Sequence, residues 1–297
     1  LSWGLLLLSK RFCKYPLHVY LAIIVWMGVH TLFEVGLGWQ QFISGHLQPS
    51  EIAGCFMVLG LALLFERKYI FSGFVLGIGG IFHASILASF APIILVTALA
   101  TPMRKSPKLM ISFGLPIIFF WGFFTLAIGM ELLKSDPDTE SISIIVNLRN
   151  VGDLLISNWS IKYTSSWIIW VGLGAFAIFT LPAENKYREV RVSFIAVLVC
   201  TFAFVAQMAI LQIPSITSMM LWRAAPWAPI LGLVILLDHC IHLFVMHGKV
   251  NKIDKLLIVF LIIGLVILVI SGLSDGLTRL IWITSIPLAA VIGMMAK

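Results

Sequence analysis

Charged residues are scarce in this 297-residue chain. They make up 11% of the sequence, against roughly a quarter in soluble domains. Hydrophobic residues make up 60%, and the mean hydropathy is +1.05. These values exclude a soluble enzyme, an intrinsically disordered protein and a nucleic-acid-binding module, so we expect no nucleic-acid partner. The composition predicts an all-α, polytopic transmembrane helical bundle, in which basic cytoplasmic loops account for the net charge of +7.

Cysteine and the common catalytic motifs are equally sparse. The four cysteines have no Cys-x-x-Cys spacing, which argues against a disulfide or zinc framework. The chain has no Gly-x-Ser-x-Gly elbow, no His-Glu-x-x-His and no phosphate-binding loop. The glycines of Gly77–Gly80 lie inside an apolar run, which excludes a dinucleotide-binding turn. We therefore expect no cofactor and no metal site, with one alternative left open for the histidine cluster described below.

Apolar runs between charge clusters predict about ten membrane-spanning helices in one integral-membrane domain, 1–297. A partial span, Leu1–Leu8, precedes them, and because a span needs about 20 residues we expect further sequence upstream of Leu1. The predicted spans are 16–36, 52–66, 69–84, 86–101, 109–131, 166–182, 192–213, 226–246, 256–273 and 279–296.

The run Tyr69–Thr101 is too long for one helix, and basic clusters flank both of its ends. Both ends therefore belong on the same side of the membrane, which requires an even number of crossings. We predict two short helices that turn around Phe82-His83-Ala84-Ser85. Gly73 and Gly77 form a Gly-x-x-x-Gly pattern, which predicts close helix packing.

The positions of the basic residues support this topology. With the Lys10 side placed in the cytoplasm, 15 basic residues lie inside and 5 outside. The outside residues are Lys134, Arg149, Lys162, Arg223 and Arg279. We expect an integral protein of a bacterial inner (plasma) membrane.

The longest outer loop is predicted at 132–165, with an interfacial helix near 144–156. Tryptophans near the predicted outer boundaries, Trp167 and Trp227 among them, are typical of the aromatic belt at a membrane surface.

Ionisable and amide side chains gather toward the predicted outer side, and buried groups of this kind in a membrane indicate function. His30 and Glu34 lie four residues apart on one helical face, as a structural or a functional pair. The other candidates are His46, Gln48, Glu51, His83, Ser85, Gln212, Trp222 and Arg223.

Arg223 is the most specific candidate, because a guanidinium forms bidentate hydrogen bonds with phosphate and basic residues are rare in the outer loops. The alternative is an arginine that only reaches lipid headgroups. If that phosphate belongs to a lipid-linked diphosphate sugar donor, a neighbouring base would take the proton from the sugar hydroxyl that attacks the donor. The candidates for that base are His30, Glu34, His46, Glu51 and His83.

A second polar cluster lies toward the predicted cytoplasmic side. Asp238, His239, His242 and His247 follow one another at helical spacing. They would suit a metal or haem ligand set, or form a polar helix end in which Asp238 pairs with His242.

Several short stretches carry a resemblance to a known family. Pro49–Gly54, an apolar helix, the basic turn Glu66-Arg67-Lys68-Tyr69 and Gly77–Leu87 with its Phe82-His83-Ala84-Ser85 motif resemble EpsG-type, O-antigen-polymerase-like proteins over residues 40–100. These are similar to the GT-C class of membrane glycosyltransferases, which use polyprenyl-linked sugars on the outer face. The family usually has an arginine where this chain has Gln48-Pro49-Ser50.

The leading hypothesis is a membrane glycan polymerase or glycosyltransferase that uses a polyprenyl-diphosphate-linked sugar on the outer face. Its partners would be the lipid-linked glycan and membrane lipids, with partner subunits left open. Arg223 would hold the diphosphate, His83 or Glu51 would act as the base or position the acceptor, and Gln48 and Gln212 would bind sugar hydroxyls. The alternatives are a transporter or flippase-like carrier, with His30 and Glu34 as a proton relay, and a structural subunit of a larger membrane complex.

Overall fold

The computed structural model describes residues 1–28, 49–132, 161–211 and 221–245, and this part of the chain is helical without strands. Nine α-helices follow in order within it: α1 Ser2–Phe12, α2 Pro16–Gly28, α3 Pro49–Phe65, α4 Tyr69–Phe82, α5 Ala84–Ala100, α6 Pro107–Leu132, α7 Ile161–Thr180, α8 Asn185–Ala206 and α9 Trp227–Val245. Short 3₁₀ turns lie at Pro102–Lys105 and Leu221–Ala224, and a π-turn, Gln207–Leu211, extends α8.

Local sequence signals explain where several helices begin. Proline occupies the first position of α2, α3 and α6, where its missing N–H has no intrahelical partner to lose and its fixed φ is already helical. The side chain of Thr101 accepts a hydrogen bond from the Met103 amide and so begins the 3₁₀ turn.

The turn between α3 and α4 is a Schellman motif built without glycine. The Lys68 amide donates to the Leu63 carbonyl at 2.9 Å, and the Arg67 amide donates to the Leu64 carbonyl at 3.1 Å. This pattern places Arg67 in the left-handed position, with φ 65°. Because glycine is the usual residue there, an arginine is retained at a cost in backbone strain.

Helix order and contacts define two ends of the bundle. α3 packs on α4, α4 on α6, α5 on α8 and α7 on α9. Arg11 and Arg67 both pair with Glu189, which brings the end of α1, the α3–α4 turn and the start of α8 together. We name this the basic end. The α4–α5 turn at His83 lies at the opposite end, because both helices run their full length away from it.

Glycines allow two close helix contacts. A Cβ on Gly77 would lie 2.8 Å from the Pro116 carbonyl oxygen, and one on Gly73 would overlap the Phe113 carbonyl. The predicted close packing at this Gly-x-x-x-Gly pattern is therefore confirmed, with α6 as the partner helix. Gly174 of α7 and Gly232 of α9 meet in the same way, since a Cβ on either would overlap the backbone of the other.

The bundle has an apolar interior and an apolar exterior. The α6 surface exposes a run of large side chains, and their exposed fractions lie between 62% and 71%. They are Ile111, Leu115, Ile118, Phe119, Phe123 and Leu126. A soluble monomer rarely exposes a contiguous apolar face of this extent.

One helical segment in the described residues, Lys186–Ile210, is long and apolar enough to cross a membrane. Six further apolar segments there are 10–17 residues long. The 14 residues of α4 rise only about 21 Å, against a hydrocarbon core of roughly 30 Å. The ten complete crossings therefore stay a prediction, while the all-α class is confirmed for the described residues.

Most of the predicted helix positions agree with the structure within a few residues where it describes them. The turn predicted at Phe82-His83-Ala84-Ser85 lies between α4 and α5, with His83 as its single non-helical residue. The span predicted at 192–213 begins earlier, because α8 starts at Asn185 and so includes a charged first segment. Residues 29–36 of the span 16–36, the interfacial helix at 144–156 and the spans 256–273 and 279–296 lie outside the described residues.

The aromatic-belt interpretation is wrong for two tryptophans. Trp227 is completely buried and Trp167 is 2% exposed. Both indoles donate hydrogen bonds inside the bundle, Trp167 to the Ala225 carbonyl and Trp227 to the Ser193 hydroxyl. Position near a span boundary does not tell which face of its helix a residue occupies, and these two face the protein.

Candidate functional site

Three of the residues predicted from the sequence meet at the end of the bundle opposite the basic end. The Nη1 atom of Arg223 lies 3.0 Å from Nε2 of His83 and 3.4 Å from Oγ of Ser85. Oγ of Ser85 lies 3.0 Å from Nδ1 of His83. Arg223 is separated from the other two residues by 140 and 138 positions in the chain, and we name the group the Arg223–His83–Ser85 cluster.

The donors of the cluster determine the tautomer of His83. A guanidinium can only donate hydrogen bonds, so Nη1 of Arg223 donates and Nε2 of His83 accepts. The proton of the neutral imidazole is then on Nδ1, which donates to Oγ of Ser85. The Nε2 lone pair, the one a general base would use, is thereby occupied by Arg223.

Burial and charge keep this imidazole neutral. His83 lies in the turn between α4 and α5 and is half-buried. Its partial burial and the adjacent positive charge of Arg223 both disfavour the protonated form of the ring. A neutral histidine becomes a proton acceptor once its Nε2 lone pair is released from the hydrogen bond with Arg223.

The backbone that carries Arg223 is anchored by buried contacts. Trp167 of α7 donates to the Ala225 carbonyl at 3.0 Å. Trp227 donates to Ser193 of α8 at 3.3 Å. The 3₁₀ turn Leu221–Ala224 packs on α5 and α8. These contacts hold the base of the arginine side chain in place, which favours a preorganised cation over a loosely tethered one.

His83 and Ser85 also mark the N-terminus of α5. His83 is the N-cap residue of this 17-residue helix, and its carbonyl accepts the amides of Ile86 and Leu87. The first turn of a helix presents free amide groups and a positive dipole end. Together with Arg223, this makes the local potential favourable for an anion.

The other predicted site residues divide by position. Glu51 lies in the first turn of α3, at the same end of the bundle as His83, and five residues further on Phe56 stacks on Phe82 with 5.6 Å between ring centroids. Trp222 lies in the 3₁₀ turn beside Arg223. The structure does not describe the side chain of Trp222. The roles assigned to these residues stay predictions. The candidates that lie outside the described residues are His30, Glu34, His46, Gln48 and Gln212.

Asp238 and His242 of the second polar cluster make contacts between helices. Oδ1 of Asp238 accepts the backbone amides of Lys14 at 2.8 Å and Tyr15 at 3.0 Å. These bonds join α9 to the start of α2, so the Asp238 carboxylate serves backbone amides rather than the expected His242. The ring of His242 stacks on Tyr15 with 6.0 Å between centroids. In residues 1–28, 49–132, 161–211 and 221–245, no three potential metal ligands lie together, and His247 is outside these ranges.

Sequence reasoning missed one buried ionic cluster. Glu189 is 3% exposed and pairs with Arg67 and with Arg11, the latter at 3.7 Å. The sequence shows Glu189 as an acidic residue between Arg188 and Arg191, which could have indicated an ion pair. Arg67 is 122 positions away, and a single sequence gives no sign of such pairing.

In comparisons with known proteins, the chain matches no protein-family model, no curated protein and no solved structure.

Proposed function

We propose that the protein is a membrane-embedded glycosyltransferase or glycan polymerase that uses a polyprenyl-diphosphate-linked sugar. The observation that carries the proposal is the Arg223–His83–Ser85 cluster, in which a backbone-anchored cation and a neutral imidazole share one site. The resemblance of residues 40–100 to EpsG-type, O-antigen-polymerase-like proteins supports it, because its most specific residues, His83 and Ser85, belong to this cluster.

Location in a membrane is the first part of the proposal. The apolar exterior of α6 supports it, as does the one described segment that is long and apolar enough to span. The basic residues at the ends of α1 and α3 lie at one end of the bundle and Arg223 lies at the other. Under the positive-inside rule this distribution favours an outer position for the cluster, with the Lys10 side in the cytoplasm of a bacterial inner membrane.

The chemistry follows from the groups of the cluster. In glycosyl transfer, the bond between the anomeric carbon of the sugar and the diphosphate oxygen breaks, and the electron pair stays on that oxygen. The acceptor hydroxyl oxygen bonds to the anomeric carbon and loses its proton to a base. Arg223 and the first turn of α5 would stabilise the charge that develops on the diphosphate, while His83 or Glu51 would take the proton.

Replacement of Arg223 tests the proposal directly. In membranes that contain the full-length protein, Arg223→Ala should abolish elongation of a lipid-linked glycan and leave the amount of inserted protein unchanged. The matched control is Arg104→Ala, which removes an exposed arginine at the basic end and should leave elongation intact. Normal polymer from Arg223→Ala would refute the role of this residue, and normal polymer from matched membranes that lack the protein would refute the proposed function.

A carrier is the second function that the sequence suggests. It depends on His30 and Glu34, which lie outside the described residues. Transport of a lipid-linked substrate with no change in its glycan length would favour the carrier over the transferase.

A further inference from the structure

Arg223 forms a hydrogen bond with Nε2 of His83, the ring nitrogen that a general base would use. Nε2 of His83 accepts a hydrogen bond from Nη1 of Arg223 at 3.0 Å, and Nδ1 carries the proton that Ser85 accepts. In this arrangement neither ring nitrogen is available to a substrate hydroxyl. A base at this position therefore requires that Arg223 leaves Nε2 first.

We propose that a diphosphate group bound by Arg223 draws the guanidinium away from His83 and thereby frees Nε2 as the base, so that the donor substrate switches on its own proton acceptor. The inference rests on the proposed function and adds the order of events at the site. It also selects His83 over Glu51 as the base.

The exchange of partners is chemically favourable. A guanidinium forms charge-assisted, bidentate hydrogen bonds with phosphate oxygens, which are stronger than a single bond to a neutral imidazole. The backbone of Arg223 stays fixed, because Trp167 and Trp227 anchor the residues on its C-terminal side. Only the side chain has to move, and the residue is half-buried rather than enclosed.

Ser85 keeps the imidazole oriented during the exchange. Its Oγ accepts from Nδ1 of His83 at 3.0 Å and lies 3.4 Å from Nη1 of Arg223. When Arg223 leaves, the bond to Nδ1 remains and holds the tautomer with a bare Nε2. That atom then accepts the proton of the acceptor hydroxyl, as the new glycosidic bond forms and the sugar–diphosphate bond breaks.

The exchange removes the adjacent positive charge of Arg223, which disfavours the protonated imidazole while Nη1 lies 3.0 Å from Nε2. A diphosphate neutralises that charge and adds negative charge nearby. Because negative charge favours the protonated imidazole, bound diphosphate should raise the pKa of His83.

The test measures the pKa of His83 by NMR in the full-length protein with isotope-labelled histidine, with the signal assigned through His83→Gln. Inorganic pyrophosphate is the first probe and farnesyl diphosphate the second, and calorimetry measures the binding of each. We expect both to raise the pKa. Tighter binding of farnesyl diphosphate would identify a lipid-linked ligand, and equal affinity would identify a free diphosphate and so overturn the lipid-linked donor.

The Arg223→Gln variant gives the matched comparison. It should show a raised pKa of His83 without any ligand and no further rise with pyrophosphate. Arg104→Gln, at the basic end, should behave as the wild type. The wild-type comparison with and without pyrophosphate decides the matter even if Arg223→Gln fails to fold.

The outcomes separate the two proposals. Pyrophosphate that binds through Arg223 without changing the pKa of His83 would overturn the switch and leave the proposed function standing. If pyrophosphate raises the pKa of His83 but the protein does not elongate a glycan, the switch would be supported and the proposed glycosyltransferase function would be overturned. Failure of both pyrophosphate and farnesyl diphosphate to bind would overturn both.

Discussion

Arg67→Gly is expected to change the sign of its effect on stability when Glu189 is neutralised. Arg67 has a left-handed backbone with φ 65°, and its side chain pairs with the buried carboxylate of Glu189. Glycine removes the strain and the ion pair together. The two contributions oppose each other, so their sizes decide the result.

The magnitudes follow from the geometry. Removal of one partner from a buried ion pair costs about 3–5 kcal/mol. The Arg67 side chain is 30% exposed and Arg11 remains 3.7 Å from Glu189, so we expect a smaller loss of about 2–3 kcal/mol here. Relief of left-handed strain returns about 1 kcal/mol. In the wild-type background, Arg67→Gly should therefore lower the free energy of unfolding by about 1–2 kcal/mol.

Glu189→Gln removes the charge that Arg67 neutralises. In that background only the strain is left, and Arg67→Gly should raise the free energy of unfolding by about 1 kcal/mol. The control is Arg67→Ala, which removes the pair and keeps a Cβ in the left-handed position. Alanine should be about 1 kcal/mol less stable than glycine in both backgrounds.

Equilibrium unfolding in mixed detergent micelles, followed by tryptophan fluorescence, would measure the four combinations of the cycle. An equal loss of stability from Arg67→Gly in the wild-type and the Glu189→Gln backgrounds would refute the reasoning, because it would show that the two residues are not coupled. A gain of stability in the wild-type background would show that strain outweighs the ion pair.

Three further changes test the packing that positions the site. Gly77→Leu should abolish folding, since its Cβ would lie 2.8 Å from the α6 backbone. Gly114→Leu has open space around the new side chain and should be tolerated. The yield of monodisperse protein distinguishes the two variants. Trp167→Phe should cost about 1 kcal/mol and weaken pyrophosphate binding, because the bond to the Ala225 carbonyl is lost; unchanged affinity would contradict the anchoring role. Asp238→Ala should cost about 1–2 kcal/mol by freeing two backbone amides, and Asp238→Asn should retain most of that stability in the same unfolding measurement.

Helix positions were predictable because they depend on local properties. Apolar runs bounded by Arg67 and Lys68 on one side and Arg104 on the other predicted α4 and α5, and the charge rule required an even number of passes between them. The paired histidine and serine at the turn were visible for the same reason. The spacing of Gly73 and Gly77 predicted close packing, but not that α6 is the helix that fills the gap.

Candidate site residues were predictable by type and by end of the bundle. Arg223 stood out because basic residues are rare among the predicted outer loops. That its guanidinium meets His83 depends on how the 3₁₀ turn Leu221–Ala224 packs on α5, a contact between residues 140 positions apart. The buried faces of Trp167 and Trp227 depend on helix rotation, which hydropathy does not report.

Sequence by itself determined the helical class, the turn at His83 and the scarcity of charge that makes Arg223 conspicuous, because these follow from composition and short-range order along one chain. The tertiary structure alone decided which charges pair, since Glu189 binds Arg67 and Arg11 from distant parts of the chain. It also decided the chemical state of the site. The proton of His83 is on Nδ1 because Arg223, which can only donate, has been folded against Nε2.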